Sequence, residues 1–307
     1  MSNYRSSRIA CTPTAEGVRM KIGHASVCAV RNEQRDITVQ VHREGHFLRR
    51  LFGRIPLVRG VVRMFSAFED FFSAMSEAAD LKPQSAIRGS SGVQTFASLF
   101  RTTPQSLAAL LSGLLIPIIL LGCLVGIPAC VEWALMQFEG LPRFAMNAIC
   151  CGFRIAAALL AIHLVCRLKV VNRLCMYRGA CSKVLNAHHV HGENLTHEDA
   201  LLSSRLTARS DGAFLIVVLI VSLIGFTLFR IDAVGMLLAY RIGVMLAAAA
   251  VTNEFIRPLE RARAGSLGAK LRAPLVWLQH LFTIEPHNQM IEVAVCAYRA
   301  ACENDIL

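Results

Sequence analysis

Four histidines fall within ten residues near the middle of the chain: His188, His189, His191 and His197. Imidazoles three residues apart on a helix share a face, so His188 and His191 can both reach one divalent cation. Glu193 would then be a third ligand. The alternative is an exposed polar helix end beside a turn at Gly192, and the sequence favours this second interpretation.

Two arginines, Arg154 and Arg241, lie inside long apolar runs. If these runs are membrane helices, each arginine lies roughly 13–17 Å from the outer loops, at a rise of 1.5 Å per residue. A charge at that depth costs about 3 kcal/mol by insertion scales. One interpretation is an anion or lipid-headgroup path between helices. The favoured interpretation is that both side chains reach outward to Glu132, Asp232 or lipid phosphates.

Other catalytic patterns are sparse. The sequence contains no GxSxG, HExxH or P-loop motif. Cys181 and His188 are separated by two turns of a predicted helix, about 10 Å along its axis, so they are not expected to form a thiol–imidazole pair. The 11 cysteines include no CxxC pair. We therefore expect reduced packing cysteines in a chain that faces the cytosol.

Long apolar segments predict four membrane spans, because a bilayer core of about 30 Å needs roughly 20 apolar residues. Hydrophobic residues make up 54% of the chain, and its mean hydropathy is +0.49. The connections at 138–142 and 230–232 are short, which indicates two antiparallel helical hairpins. The candidate spans are residues 106–130, 144–166, 213–229 and 233–256.

Basic residues lie mainly outside these hairpins: 15 in residues 1–104, seven in 167–209 and six after residue 256. Because cytoplasmic loops collect Lys and Arg, all three regions are predicted to be cytoplasmic. We expect a multi-pass protein of the cell (inner) membrane with both termini in the cytoplasm and no secretory signal peptide. The net charge of +11 suits anionic lipid headgroups. No recognition motif for nucleic acid accompanies that charge.

The cytoplasmic regions show mixed local patterns. Residues 25–31 and 37–42 alternate as strands of a β-hairpin do. Residues 57–81 carry apolar side chains at three- and four-residue spacing, so they predict a helix that lies in the membrane interface or packs on a hairpin; the interface is favoured. Thr196 followed by Asp199 predicts the start of a short helix that ends near Leu206.

Together these patterns predict a mainly α-helical membrane protein, with four transmembrane helices in two hairpins and a small α+β cytoplasmic assembly. The final cytoplasmic region ends in an amphipathic helix with Ile291, Val295, Tyr298 and Cys302 on or near one side. The predicted regions are 1–104 (cytoplasmic, with the β-hairpin and the amphipathic helix), 105–168 (first hairpin), 169–212 (cytoplasmic helical loop), 213–256 (second hairpin) and 257–307 (cytoplasmic helical tail).

Several short motifs, in the same order along nearly the whole chain, resemble the YqhQ-like family. These are bacterial membrane proteins built on a domain of unknown function and often described as predicted metal-dependent enzymes. Glu16-Gly17-Val18 resembles the family's EGVMMR motif, and Pro56-Leu57-Val58-Arg59-Gly60-Val61 resembles P-F-I-R-G-V. Residues 177–215 resemble its central signature, approximately YHGAEHKVINAYE, GEELT and SRLHPRCGTSFL. Trp277-Leu278-Gln279 and Ile291-Glu292-Val293-Ala294 are similar to its closing WLQ and IEVA.

The chain departs from the family where ligands would be expected. Arg178, Cys181 and Ser182 stand where the family has the His, Glu and His of HGAEHK. Thr-Ala-Arg-Ser-Asp-Gly at 207–212 replaces HPRCGT, and the family's Gly-Gly-Gln is absent near residues 10–12. A divalent metal needs several converging oxygen, nitrogen or sulfur ligands. The comparison therefore implies that the family's presumed metal chemistry is lost, and a divalent metal cofactor is disfavoured.

The polar positions that do match the family are expected to be structural and to hold the cytoplasmic parts against the membrane helices. They are Glu16, Arg59, Lys183, Asn186, Glu193, Arg205 and Glu254.

The leading functional expectation is a membrane-anchored interaction or scaffold protein with a protein partner on the cytoplasmic side, and not an enzyme. The first alternative is a metal-dependent membrane enzyme with a metal site rebuilt from the histidines at 188–197. The second is a small transporter that uses Arg154 and Arg241.

Overall fold

The computed structural model describes residues 9–14, 16–31, 36–43, 55–81, 143–227, 234–262 and 265–305. The strands in these ranges are β1 (Ile9–Pro13), β2 (Gly17–Ile22), β3 (Ala25–Arg31) and β4 (Ile37–Arg43). The helices are α1 (Val58–Asp80), α2 (Arg143–Val165), α3 (Lys169–His191), α4 (His197–Leu202), α5 (Asp211–Phe226), α6 (Val234–Glu260), α7 (Leu267–Leu278) and α8 (Asn288–Asp305). Short 3-10 turns lie at Gly192–Asn194 and Gln279–Leu281.

The four strands form one antiparallel sheet in the order β1-β2-β3-β4. The predicted hairpin of β3 and β4 is confirmed, with Ala25 opposite Arg43 and Arg31 opposite Ile37. The preceding hairpin of β1 and β2 had not been assigned as strands from the sequence. Its two strands are joined to the rest of the sheet through a turn in which Gly23 has a φ of +57°, a conformation that glycine adopts without steric cost.

Strand β2 is buried on both faces, which explains why its charged residues are inside the protein. Successive side chains of a strand point to opposite faces. Val18, Met20 and Ile22 belong to a core shared with side chains of α3 and α8. Arg19 and Lys21 form ion pairs with Glu77 and Asp70 of α1. The sheet therefore lies between α1 on one side and the α3–α8 pair on the other.

Helix α1 matches the predicted helix at 57–81. It crosses α6 closely at Gly60, where a Cβ would lie 2.3 Å from the carbonyl oxygen of Ala249. Phe65, Phe68 and Phe72 are exposed on α1, and they lie on one face because they are three and seven residues apart. Placement of this face in a membrane interface remains a prediction.

Two described helices are long and apolar enough to cross a membrane, Ala145–Val165 within α2 and Ala239–Glu260 within α6. Only 17% of the most apolar stretch of the first helix is buried within the protein, whereas the core helix of a soluble protein is mostly buried. Helix α5 has 16 residues, so it is about 24 Å long and shorter than a bilayer core of about 30 Å. The predicted span at 106–130 lies outside the described residues. Three of the four predicted spans fall on described residues. Two of these three are long enough to cross a membrane.

Helices α5 and α6 run antiparallel, as the second predicted hairpin requires. Phe214, near the start of α5, packs with Ala248 and Ala249 in the second half of α6. At the other end, the Tyr240 hydroxyl donates a hydrogen bond to the carbonyl oxygen of Gly225 at 2.6 Å.

Two predicted helix boundaries are wrong. The sequence also predicts that the second span continues as one helix to about His191. The structure shows a break instead, because the chain leaves the helical conformation at Leu168, with ψ of 135°, before α3 begins. The Thr196 cap is confirmed: its side chain accepts a hydrogen bond from the Asp199 N–H while the Asp199 carboxylate accepts one from Thr196. The helix ends at Leu202 rather than near Leu206, since Ser203 is extended.

Candidate functional site

One face of α3 carries Arg178, Cys181 and Ser182, at a spacing that places all three on the same side of the helix. Cys181 is 3% exposed and is bonded through a disulfide to Cys11 of β1, with 5.6 Å between the two Cα atoms. The expectation that all cysteines are reduced is therefore wrong for this pair. A sequence separation of 170 residues left no local signal for the pairing.

Arg178 is directed toward the start of α5. Its Nη2 donates a hydrogen bond to the Ser210 hydroxyl at 3.0 Å, and its guanidinium lies 4.8 Å from the centroid of the Phe282 ring. Desolvation lowers the pKa of Arg178, although Asp211 nearby acts in the opposite direction. A Cβ at Gly212 would lie 2.5 Å from Nη2 and 2.8 Å from the Phe282 ring, so a larger residue here would displace the Arg178 guanidinium.

The three positions where the family has its presumed ligands are thus occupied by packed side chains. Cys181 is bonded to Cys11, Arg178 is stacked on Phe282, and Ser182 is only 8% exposed. The guanidinium also brings a positive charge, which repels a metal cation. These residues do not provide the donor set that a divalent metal requires.

The segment 207–212, which differs from the family's HPRCGT, is held by a buried amide. Gln279 accepts a hydrogen bond from the Thr207 N–H at 3.1 Å and donates one to the Thr207 carbonyl oxygen at 2.8 Å. Gln279 is 2% exposed. Buried backbone groups need such partners, so Gln279 satisfies both the N–H and the carbonyl group of Thr207.

Lys183 binds the last turn of α4, and Asn186 binds the chain that follows it. Lys183 Nζ donates to the carbonyl oxygen of Leu201 at 2.9 Å and lies 2.8 Å from the Glu285 carboxylate. Arg205 reaches the same carboxylate at 3.4 Å. Asn186 Nδ2 donates to the carbonyl oxygens of Ser204 and Leu206 at 2.7 and 2.8 Å.

Arg59 and Glu254 connect α1 to α6. The Arg59 Nε is 2.6 Å from Glu254 Oε1, and Nη2 contacts Oε2, so the pair is bidentate. This hydrogen bonding raises the pKa of Arg59. Glu16 lies 3.7 Å from Arg173 of α3.

A second arginine of α1 was not singled out from the sequence. Arg63 bonds Asp211 at the start of α5 at 2.9 Å and Glu260 of α6 at 2.7 Å, and it lies over the Phe214 ring at 4.5 Å. Burial by itself lowers the pKa of Arg63, but the two carboxylates outweigh burial and leave that pKa raised. Its position on the polar side of an amphipathic helix was the available signal.

The histidine cluster is divided among different partners. His188 Nδ1 is 2.7 Å from the Tyr298 hydroxyl, and that hydroxyl donates to the Gly192 carbonyl oxygen at 3.1 Å. His191 Nε2 lies 3.6 Å from Asp199, and Glu193 is exposed. In the parts of the chain that the structure describes, no group of three His, Cys, Asp or Glu residues converges as a metal site would require. The metal-ligand assignment to His188, His191 and Glu193 stays a prediction.

The two arginines that were predicted to lie within the membrane are on different helices. Arg241 of α6 is exposed, and its guanidinium lies 5.8 Å from the Phe226 ring of α5. Arg154 is partly exposed on α2. Their role in an anion path stays a prediction.

Fold and site together define a mainly helical protein with a small antiparallel sheet and two helices long enough to cross a membrane. The chain belongs to the family described as "Protein of unknown function (DUF1385)", whose model matches residues 55–304. It is similar to "Uncharacterized protein YqhQ" of Bacillus subtilis (strain 168), with 28% identity over 161 residues. That alignment covers 50% of this chain and 49% of the relative. The resemblance to the YqhQ-like family is thereby confirmed. No solved structure matches this chain.

Proposed function

We propose that this protein is a membrane-anchored interaction or scaffold module of the YqhQ-like family and that it is not a metal enzyme. The observation that carries the proposal is the occupied α3 face. Where the family has His, Glu and His, this chain has a stacked arginine, a disulfide-bonded cysteine and a buried serine. An active site needs a space in which a substrate or an activated water can reach its ligands.

The family-matched polar residues support a structural role. Arg59 with Glu254, Lys183 with Glu285, and Glu16 with Arg173 are ion pairs between elements distant in sequence. The carboxylates of Glu254, Glu285 and Glu16 are each paired with a cation, as structural carboxylates are. The first pair joins α1 to a candidate membrane helix, and the other two join α3 to the segment before α8 and to the residue that precedes β2.

The membrane anchor is proposed on composition and length. Two helices meet the requirement of about 20 apolar residues, and most of the 32 Lys and Arg residues lie outside the predicted hairpins. In this proposal the protein is multi-pass, both termini are cytoplasmic, and the exposed Phe65, Phe68 and Phe72 of α1 face the headgroup region. A partner protein would bind on the cytoplasmic side.

Metal analysis of full-length protein purified without an affinity tag tests the non-catalytic assignment. We expect far less than one equivalent of zinc, manganese or iron per chain. The matched comparison is a variant in which both His188 and His191 are replaced by Ala. About one equivalent in the native chain that disappears in this variant would overturn the proposal and favour the enzyme.

The membrane arrangement has separate tests. Reporter fusions at Met1 and Leu307 should both report the cytoplasm, and alkaline carbonate should leave the protein in the membrane fraction. Reporters on opposite faces, or release by carbonate, would contradict the topology.

A further inference from the structure

The Cys11–Cys181 bond joins two parts of the chain that otherwise make only non-covalent contacts. Cys11 lies on β1, which pairs with β2 and stands at the edge of the sheet that the described strands form. Cys181 lies on α3 among the core residues packed against β2 and α8. The bond therefore fastens the edge of the sheet to the helix whose surface replaces the family's presumed metal site.

The two cysteine residues differ in exposure. Cys181 is 3% exposed, whereas Cys11 is only partly buried. Thiol–disulfide exchange requires an attacking thiolate to reach one sulfur while the other leaves. Attack is therefore expected at Cys11 Sγ, with Cys181 as the leaving thiolate.

Nearby cysteines are poorly placed to compete in that exchange. Cys28, on the same sheet, is fully buried, and desolvation raises its pKa to about 12. Cys175 of α3 is also buried. A neutral, enclosed thiol is a weak nucleophile, so internal reshuffling of the bond to these residues is disfavoured.

We propose that Cys11 and Cys181 form a reversible redox modification site, a deduction that rests on the cytoplasmic location in the proposed function. Disulfides in that compartment are rare and are typically transient. Reduction by a cellular dithiol consumes two electrons and two protons, yields two thiols and converts the dithiol into a disulfide. Oxidation by a small-molecule disulfide reverses the step and releases two thiols from the oxidant.

The bond controls how firmly β1 is held. In the oxidised protein β1 is bonded to α3 and paired with β2 from Ile9 opposite Ile22 to Pro13 opposite Val18. In the reduced protein only the pairing and packing contacts remain. A strand at the edge of a sheet that makes fewer contacts opens locally at a lower free energy than a central strand. Reduction therefore exposes this edge without unfolding the sheet.

The test uses full-length protein in mild detergent, titrated with dithiothreitol under native conditions and then labelled with a maleimide–polyethylene glycol. We expect Cys11 to become labelled under native conditions, Cys181 to become labelled as well once the reduced protein is denatured, and the β1 amides to exchange hydrogen at least tenfold faster. Cys11→Ser and Cys181→Ser should abolish the reductant-dependent change, and Cys28→Ser should retain it. The dithiothreitol titration is carried out on the native protein, so it tests the proposal even if one of the variants fails to fold.

Trapping in cells completes the test. Acid quenching before and after exposure to a disulfide oxidant should show reduced and then oxidised Cys11–Cys181. The proposal is overturned if the bond yields to dithiothreitol only after denaturation, if β1 exchange is unchanged on reduction, or if the pair stays reduced under oxidant. Metal content and reporter fusions measure the proposed function separately, so a reversible pair in a metal-loaded protein would reject the scaffold assignment alone.

Discussion

Arg19, whose side chain is fully buried in the sheet, forms an ion pair with Glu77 of α1 at 3.0 Å. Lys21, on the same face of β2, forms an ion pair with Asp70, which lies two helical turns before Glu77 on α1. Two cations that alternate along a strand thus meet two carboxylates seven residues apart on a helix. This match fixes both the direction and the axial position of α1 across the sheet.

Removal of the Glu77 carboxylate should destabilise the protein strongly. Glu77→Gln leaves the buried Arg19 charge without its neutralising partner, which costs about 3–5 kcal/mol of unfolding free energy. Glu69→Gln, at an exposed position of the same helix, should change it by less than about 0.5 kcal/mol. Thermal unfolding in detergent measures both. Equal melting temperatures for the two variants would show that the ion pair does not hold α1 on the sheet.

A methyl group at Gly60 should separate α1 from α6. Gly60→Ala places a Cβ 2.3 Å from the Ala249 carbonyl oxygen, and such overpacking costs about 1–3 kcal/mol. Gly152→Ala is the matched control, because a Cβ there meets nothing within 4 Å and alanine favours a helix by up to about 1 kcal/mol. In denaturant or thermal unfolding, Gly60→Ala should be less stable than the native protein, and Gly152→Ala should be at least as stable as the native protein. The reverse order would contradict the close helix crossing.

The stability of the protein should fall both when the Gln279 amide is removed and when it is replaced by a carboxylate. Gln279→Ala leaves the Thr207 N–H and carbonyl without their partner, at a cost of about 1–3 kcal/mol. Gln279→Glu keeps an acceptor for the N–H but has no donor for the carbonyl, so it should not rescue stability. Lys270→Ala, at an exposed site on α7, is the control for unfolding measurements. Native-like stability of Gln279→Ala would indicate that the 207–212 segment is held by other contacts.

Mild acid should weaken the contact between α3 and α8. Desolvation lowers the pKa of His188 below its ordinary value, against a smaller opposing effect of Gly192. The folded state therefore prefers neutral imidazole. Its contribution to stability is complete above the unfolded pKa of about 6.5 and is lost as pH falls through the lower folded pKa.

The measurement is the melting temperature between pH 7.5 and 5, compared with that of His188→Asn. The native protein should lose more stability across this window than the variant. The Asp199 pKa is also lowered, through hydrogen bonds from Thr196, but that carboxyl titrates below the window. A steeper acid loss in His188→Asn than in the native chain would disprove the assignment.

Local patterns in the sequence were sufficient for several elements. Strands β3 and β4, helix α1 and the Thr196 cap all follow from alternation, three- and four-residue spacing or a side chain that bonds its own helix. Helix α8 was also predicted, with Ile291, Val295, Tyr298 and Cys302 on or near one side; the first three are buried, and Cys302 is partly buried against the same core. Strand β2 shows the same alternation, with Arg19 and Lys21 between Val18, Met20 and Ile22, so a strand signal was present there and was not used. The alternation could not show that both faces of this strand are covered.

The contacts that shape the site were beyond such patterns. Gln279 reaches Thr207 across 72 residues, and Arg63 meets partners on two other helices. Sequence comparison identified Arg178, Cys181 and Ser182 as departures from the family, but it could not show that the space around them is filled. That information depends on the packing of β1, α5 and Phe282 around α3.

The bridge between residues 11 and 181 also makes the intervening polypeptide a closed macrocycle. Helices α1 and α2, and the whole stretch that connects them, belong to this macrocycle. A single protease cut anywhere between the two cysteines opens it without releasing a fragment. The nicked protein would migrate as one species until a reductant is added.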